Sequence, residues 1–453
     1  MGFGDTPLKT SAFILAGLAM MLNIRLSYSS APYALIRFKL HENLFSVFVR
    51  RMSSALELWC LPSMVVGNIM EQVMKRANLQ SEKKNIITWP SIVTMWLNFL
   101  TFVILLFVYR AGGEQGRLTT FYWTIAASGF VFGINMVLVY AQDDYGTITY
   151  YMIGENSFPA LTSLIHYITT LIFGNRRKYN SDFLIVTIDI IVAIIISFVA
   201  AAVWTAEGKQ YNAPGGGSSD ETHAESCGYN INRLHNISPV LMVLVGMGLV
   251  YMIYPAIAPG MIVPFYLIDK IEMILLIATA VPPVIVATLK KNNLGPFVYL
   301  GNWGGKHGDG GSGCTIGGET KTWQPHTGMP AWHLCDVFVI IMISLAYIFI
   351  YSLHYKDSGI SRAIINQPKM STFLSTLFYM SHEISLAVGF PGIASDAEVL
   401  LPTQLIGAFL MVLLAPYSEG YIIEYKSHDP AFWPTEGMTP WNAFCYWLKM
   451  ASR

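Results

Sequence analysis

Apolar residues dominate this chain in about eleven long runs, with shorter polar segments between them. A hydrocarbon core about 30 Å thick needs roughly 20 apolar residues in helical form, and lipid cannot satisfy free backbone groups, so each run is predicted to be a transmembrane helix. The predicted spans are 11–31, 53–74, 88–109, 119–142, 147–174, 182–206, 237–259, 261–289, 332–355, 371–394 and 400–425. Two breaks rest on short signals. Asp143 and Asp144 in "AQDDYG" mark a connection, and the two prolines and the glycine of "PAIAPG" mark a tight turn. The first span begins close to the start with no clear small-residue cleavage site after it, so it is expected to be a retained helix rather than a signal peptide.

The polar segments divide the chain. A glycine-rich stretch at 207–236 separates a six-helix N-terminal bundle, 1–206, from a five-helix C-terminal bundle, 237–453, and a second glycine-rich insertion occupies 292–328. No sequence repeat links the halves. Composition agrees with the span count: 53% of the 453 residues are hydrophobic and only 12% are charged. Twenty-eight basic residues offset 28 acidic ones, which leaves no footprint for nucleic-acid binding. The fold class expected is therefore an all-α polytopic membrane protein.

Charges inside the apolar runs change the picture, because an ionisable group at the bilayer centre costs about 2.5–3.5 kcal/mol on insertion scales. "PFYLIDKIEMILL" places Asp269, Lys270 and Glu272 in the eighth span. Asp269 and Glu272 share a helix face, while Lys270 points about 100° away from Asp269. Arg25, Glu57, Glu155, Asp189, Asp336, Glu383 and Glu419 also fall within or near spans. Two readings stand for such groups: internal pairing that fixes helix packing, or the lining of a solute pathway.

At the eighth span the chain resembles the equilibrative nucleoside transporters. "YPAIAPGMIVPFYLIDKIEMILL" is similar to that family's seventh and eighth helices, with Pro255, then Phe265, then Asp269 four residues on. Phe378 and Ser381 in "LFYMSHEISLAVGF" match the Phe-x-x-Ser start of its tenth helix, and "IGAFLM" matches the glycine-containing start of its last. "FILAGLAMML", "ALELWCLPSMVVGNIM" and "GENSFPALTSLIHYITTLIFG" resemble its first, second and fifth helices more weakly. The chain departs from the pattern at Asn23, Ile24 and Arg25, where the family has Pro-Trp-Asn. It departs again at Glu272 and Met273, which replace a glycine and an arginine, and at His382 and Glu383 in the tenth helix.

The resemblance implies eleven helices in a six-plus-five arrangement of the major-facilitator type, with alternating access to a central cavity. It implies transport of nucleosides or nucleobases by facilitated diffusion, with Asp269 accepting from ribose hydroxyls and Ser381 as a further substrate contact, and the sequence adds Trp59 as a stacking surface for the substrate. Trp96 and Trp123 offer stacking surfaces too, although tryptophan also anchors helices at membrane interfaces. Proton coupling is a second mechanism, through Glu155, His382 or Glu383, since a carboxylate or histidine in a cavity can change charge during a cycle. The expected partners are a small-molecule nucleoside or nucleobase and the lipid bilayer, with no nucleic acid and no cofactor or metal. The expected location is the plasma membrane. The family's cytosolic N terminus runs slightly against the distribution of lysine and arginine among the loops. Were the glycine-rich loops extracellular, Cys227 and Cys314 could pair and Asn236 could carry a glycan.

Other classes find less support. "GxSxG", "HExxH" and "GxxxxGK[ST]" are absent, so no enzyme is expected. His223, His307 and His326 have no zinc-site spacing. The alternatives kept open are a carrier of another small polar solute and a non-transporting surface or sensor protein that retains a transporter fold.

Overall fold

A computed structural model describes residues 7–20, 22–76, 83–112, 115–142, 148–173, 181–211, 236–291, 314–316, 319–321, 333–393, 397–429 and 432–452. The helices are α1 (Pro7–Met20), α2 (Leu22–Arg37), α3 (Phe45–Arg76), α4 (Trp89–Ala111), α5 (Gln115–Tyr140), α6 (Ile148–Phe173) and α7 (Ser181–Tyr211). There follow α8 (Ile237–Ile253), α9 (Phe265–Ala278), α10 (Val281–Lys291), α11 (Asp336–His354), α12 (Gly359–Ile365), α13 (Pro368–Ile393), α14 (Ala397–Ser427) and α15 (Pro440–Ala451). Within the glycine-rich insertion, β1 (Cys314–Ile316) and β2 (Glu319–Lys321) pair antiparallel, with Cys314 opposite Lys321. Cys227, the histidines of the polar loops, and Asp143 and Asp144 lie outside the described residues.

Each of the eleven predicted spans overlaps helix among the described residues, and the chain is an all-α polytopic integral membrane protein. Among the described residues five helices are long and apolar enough to cross a membrane: Lys84–Ala111, Arg117–Tyr140, Phe183–Gly208, His333–His354 and Pro402–Ser427. Their outer faces are apolar, with Phe107 66% and Ile340 64% exposed, an arrangement suited to lipid rather than water. Helices α3 and α13 are also long, but Arg50 and Glu57 on one and His382 and Glu383 on the other make them less apolar.

Several boundaries differ from the sequence expectation: α3 starts at Phe45, ahead of the span predicted from 53, and α8 ends at Ile253, short of the span predicted to 259. The eighth span breaks after Ala278, because Pro282 and Pro283 suit the first turn of a new helix and cannot continue the old one. Helix α7 runs on to Tyr211, into the segment read as linker. Helix α15 was not expected at all, since its 12 residues are too few for a span. It starts at Thr439, whose hydroxyl accepts from the Asn442 N–H at 3.4 Å, with Pro440 in the first turn.

Packing follows the small residues. Helix α1 packs on α6 and α7, α3 on α5, and α4 on α5 and α7. Helix α8 packs on α11, α13 and α14, and α14 carries α15. The two groups meet where α3 runs beside α14, and where α9 packs on α2 and α6. The α1–α6 crossing is reciprocal. A Cβ on Gly17 would stand 2.0 Å from the Tyr151 carbonyl oxygen, and one on Gly154 would stand 1.9 Å from that of Ile14. In lipid, where no hydrophobic drive brings helices together, this backbone approach supplies the packing. At the end of α4, Gly112 adopts φ +56°, and Arg37 from α2 donates to the terminal carbonyls of Arg110 at 2.9 Å and Tyr109 at 3.5 Å.

Gly17→Ala and Gly154→Ala are each expected to cost about 1–3 kcal/mol by forcing α1 and α6 apart. Thermal unfolding in detergent, followed by tryptophan fluorescence, reads this directly, and unchanged melting in both variants would show that the crossing is not tight.

Candidate functional site

Helix α3 enters the bundle with Arg50, Ser53 and Glu57 at spacings of three and four, so all three lie on one face, and all are buried. The Ser53 hydroxyl donates to Glu57 Oε1 at 2.7 Å. Arg50, fully buried, attracts the Glu57 carboxylate and donates from Nη2 to the Tyr254 carbonyl at 3.2 Å. That carbonyl closes α8. The Ala258 N–H that could have capped it instead donates to Ile253 O at 3.0 Å, so the arginine takes the place of a helical partner. Glu57 Oε2 is buried with no hydrogen-bond partner among the described residues.

From Tyr254 the polar chain passes to α13. The Tyr254 and Tyr379 rings lie 4.4 Å apart, and Tyr379 is 5.5 Å from the His382 ring. His382 Nδ1 lies 3.1 Å from the Gly246 carbonyl on α8. A carbonyl can only accept, so Nδ1 carries the proton in this contact. The result is a buried connection from Glu57 and Arg50 on α3, through the end of α8, to His382 on α13.

The residues singled out in the sequence distribute around this connection unequally. His382 belongs to it. Ser381 is fully buried one residue away, with its hydroxyl donating back to Leu377 O at 2.8 Å, and Glu383 is buried on the next face of the same helix. Glu155 is buried on α6, one turn beyond the buried Tyr151 with which it interacts electrostatically. Asp269 falls on α9, with its side chain outside those described; Glu272 on the same helix is buried and Lys270 exposed. Trp59 is 40% exposed on the outer side of α3, near Trp123 at 6.3 Å and Phe130 at 6.5 Å, and does not join the chain. Asp336 starts α11 and accepts from Ser238 Oγ at 2.5 Å, a favourable place for a carboxylate.

Arg50 was missed by sequence reasoning. Its signal was present in "RRMSSALE", where Arg50, Ser53 and Glu57 recur at helical spacing, but Arg50 precedes the predicted start of the second span.

Near this connection a second set of contacts ties α3 to α14. Arg51 Nε donates to Glu419 Oε1 at 3.0 Å, and Lys426 Nζ donates to the Asn43 carbonyl in the 3-10 turn Glu42–Leu44 just before α3. Phe45 packs edge-on against Phe265 of α9 at 5.5 Å.

No protein-family model matches this chain, and no curated protein matches it in sequence. Among solved structures it is similar to the crystal structure of the nucleoside transporter NupG, with a TM-score of 0.44 and 12% identity, over 99% of this chain and 96% of that one. A mutant of the same transporter gives a TM-score of 0.43 and 13% identity, over 98% of this chain and 96% of that one. A structure concerning proton dependent oligopeptide transporters gives 0.30 and 11%, over 93% and 97%. No residue role is carried over from these proteins at such distances.

Replacing Arg50 by methionine removes the donor to the Tyr254 carbonyl and the charge that acts on the buried Glu57, and is expected to cost about 3–5 kcal/mol, part of which Arg50→Met combined with Glu57→Leu should return. Thermal unfolding of the two variants measures it. A single variant as stable as the parent would remove the pair from the packing.

Proposed function

We propose that this protein is a carrier for small polar, uncharged solutes of the nucleoside or nucleobase kind, working by alternating access. The reading rests chiefly on the buried connection between α3, the end of α8 and α13. An integral membrane protein that buries an arginine, two carboxylates and a histidine on these helices bears a large desolvation cost, and such groups in membranes mark solute or proton pathways. Glu57 Oε2 offers a hydrogen-bond acceptor for a hydroxyl, and the Tyr254 and Tyr379 rings offer faces for a base.

In this reading residues 1–206 form one six-helix unit and 237–453 a five-helix unit, in a major-facilitator-like arrangement, and one rocks against the other about a midplane site. The contacts Arg51–Glu419 and Lys426–Asn43 close one end of the passage and part when that end opens. Asp269, carried by the resemblance, accepts from the ribose, with Ser381 as its proposed companion. Facilitated diffusion needs no further group. The buried His382, Glu383 and Glu155 favour a second mechanism, in which a proton moves with the solute, because each can change charge without leaving the protein. The plasma membrane is the proposed location.

Uptake of radiolabelled adenosine, inosine, hypoxanthine and uridine into proteoliposomes, with and without a pH gradient, tests the reading. Saturable uptake that unlabelled solute suppresses is expected for at least one of them, and Asp269→Asn is expected to lower it about tenfold, the loss of one hydrogen bond to a charged acceptor. Correctly inserted protein that moves none of the four would overturn the substrate class. Equal rates with and without the gradient would remove the proton mechanism.

The gate contacts give a separate expectation. Arg51 and Glu419 form a partly exposed pair worth at most about 1 kcal/mol, so Arg51→Gln should raise the rate at which a maleimide modifies an Asn43→Cys variant by no more than about fivefold. No rise at all would place this pair outside the moving contact.

A further inference from the structure

The C-terminal half contains a cavity of about 640 Å³, between α8, α11, α14 and α15, whose lining includes none of Arg50, Glu57, Tyr254, Tyr379 and His382. Its walls are aliphatic and aromatic, with Leu249, Ile350, Tyr347, Trp441 and Phe444 among them. Three of the polar groups at its edge are engaged within the protein, while His354 Nδ1 and Trp447 Nε1 are buried without a hydrogen-bond partner among the described residues. Tyr417 donates its hydroxyl to Leu448 O at 2.8 Å, Ser418 donates to Met252 O at 2.6 Å, and the Tyr421 hydroxyl meets His354 Nε2 at 2.8 Å. An occupant would therefore meet apolar surface almost throughout, which holds water poorly.

The position of α15 says where the occupant comes from. Ala443, Trp447 and Ala451 on one face are buried against the bundle, and a Cβ on Gly420 of α14 would stand 2.3 Å from the Ala451 carbonyl oxygen, so the helix is docked closely. Trp441, Phe444 and Leu448 line the cavity yet are exposed, Trp441 at 70%. A short amphipathic helix of this kind lies in the membrane interface with its apolar residues at the acyl boundary. Across the cavity, Tyr347 is 66% exposed and continues the outward row of Ile340 and Ile343 on the membrane-crossing helix α11. The cavity wall is thus continuous with the surface that the bilayer covers.

We propose that this cavity is a lipid site, taking the acyl chain of a bilayer phospholipid between α11 and α15. The chain enters from the hydrocarbon beside Tyr347 and lies under α15, with its headgroup at the interfacial level of Trp441. The chemistry requires no charge recognition, so a neutral phospholipid suffices. Carriage of a nucleoside by the polar connection and occupancy of this cavity by lipid are independent of one another.

The test uses the full chain in nanodiscs of phosphatidylcholine containing a fraction of phosphatidylcholine with a diazirine on one acyl chain. After irradiation, labelled peptides are mapped by mass spectrometry. Label on the α11 and α15 peptides should exceed that on the exposed face of α7 around Ile195, which is open lipid-facing surface. Ala346→Phe and Ala443→Phe each place a ring in the cavity and should lower the excess to the α7 level, with an unchanged elution profile on size-exclusion chromatography. Equal labelling of α11, α15 and α7 in the parent protein would overturn the proposal, whatever the variants do. So would an excess that survives both well-folded variants, or protein dimers crosslinked through these peptides in place of lipid adducts, which would make a second copy the occupant.

Discussion

A bilayer offers neither water nor counter-ions to a group placed within it, so the arginine at position 50 has to be held by protein. Much else depends on how that is done. Its guanidinium reaches the Tyr254 carbonyl at the end of α8 and acts electrostatically on Glu57, which lies two turns along the same face of α3. That contact fixes α3 against the turn between α8 and α9, and so sets where Tyr254 presents its ring to Tyr379 and, beyond it, His382. The polar connection starts from the hydrogen bond that this cation donates across the helices.

Helix α14 divides two tasks between opposite faces. Tyr417, Tyr421 and Tyr425 recur every fourth residue, and their hydroxyls engage Leu448 of α15, His354 of α11 and the Leu353 carbonyl. Glu419 and Lys426, seven apart, point away from that row toward α3 and the turn before it. The tyrosine face is made of neutral hydrogen bonds and of rings in tilted and edge-on contact that stay closed without water. The charged face is made of partly exposed contacts that solvent can replace at little cost. In the proposed carrier these are the properties expected of a fixed and a moving surface of one helix, and the apolar cavity under α15 lies entirely on the fixed side.

Much of the architecture was legible in the sequence, because a transmembrane helix announces itself through composition alone. Each of the eleven apolar runs contains helix among the described residues, and the turn at "PAIAPG" appeared where its prolines placed it. The break after Ala278 was written in Pro282 and Pro283, but an apolar run that continues past a proline pair reads as one span by hydropathy. Helix α15 escaped because its apolar residues serve two neighbours, the bundle and the cavity edge, within 12 residues. At the candidate site, His382, Glu383, Glu155 and Glu57 were visible as charges or titratable groups in apolar surroundings. Arg50 was hidden by its place at a helix start, where a cation ordinarily snorkels to the interface.

The sequence by itself therefore determined that the chain is helical, that it lies in a membrane, and which ionisable groups sit inside apolar helices. Hydropathy and helical period are local properties, and both are fixed by residues a few positions apart. Only the tertiary structure decided partnership: that Arg50 answers the Tyr254 carbonyl 204 residues away, that His382 answers Gly246, and that of the two opposite faces of α3 the one with Glu57 turns in and the one with Trp59 turns out. A charge in an apolar helix must find a partner, but which one depends on how the helices cross, and those crossings are set by backbone approaches such as Gly17 to Tyr151 that no local pattern encodes.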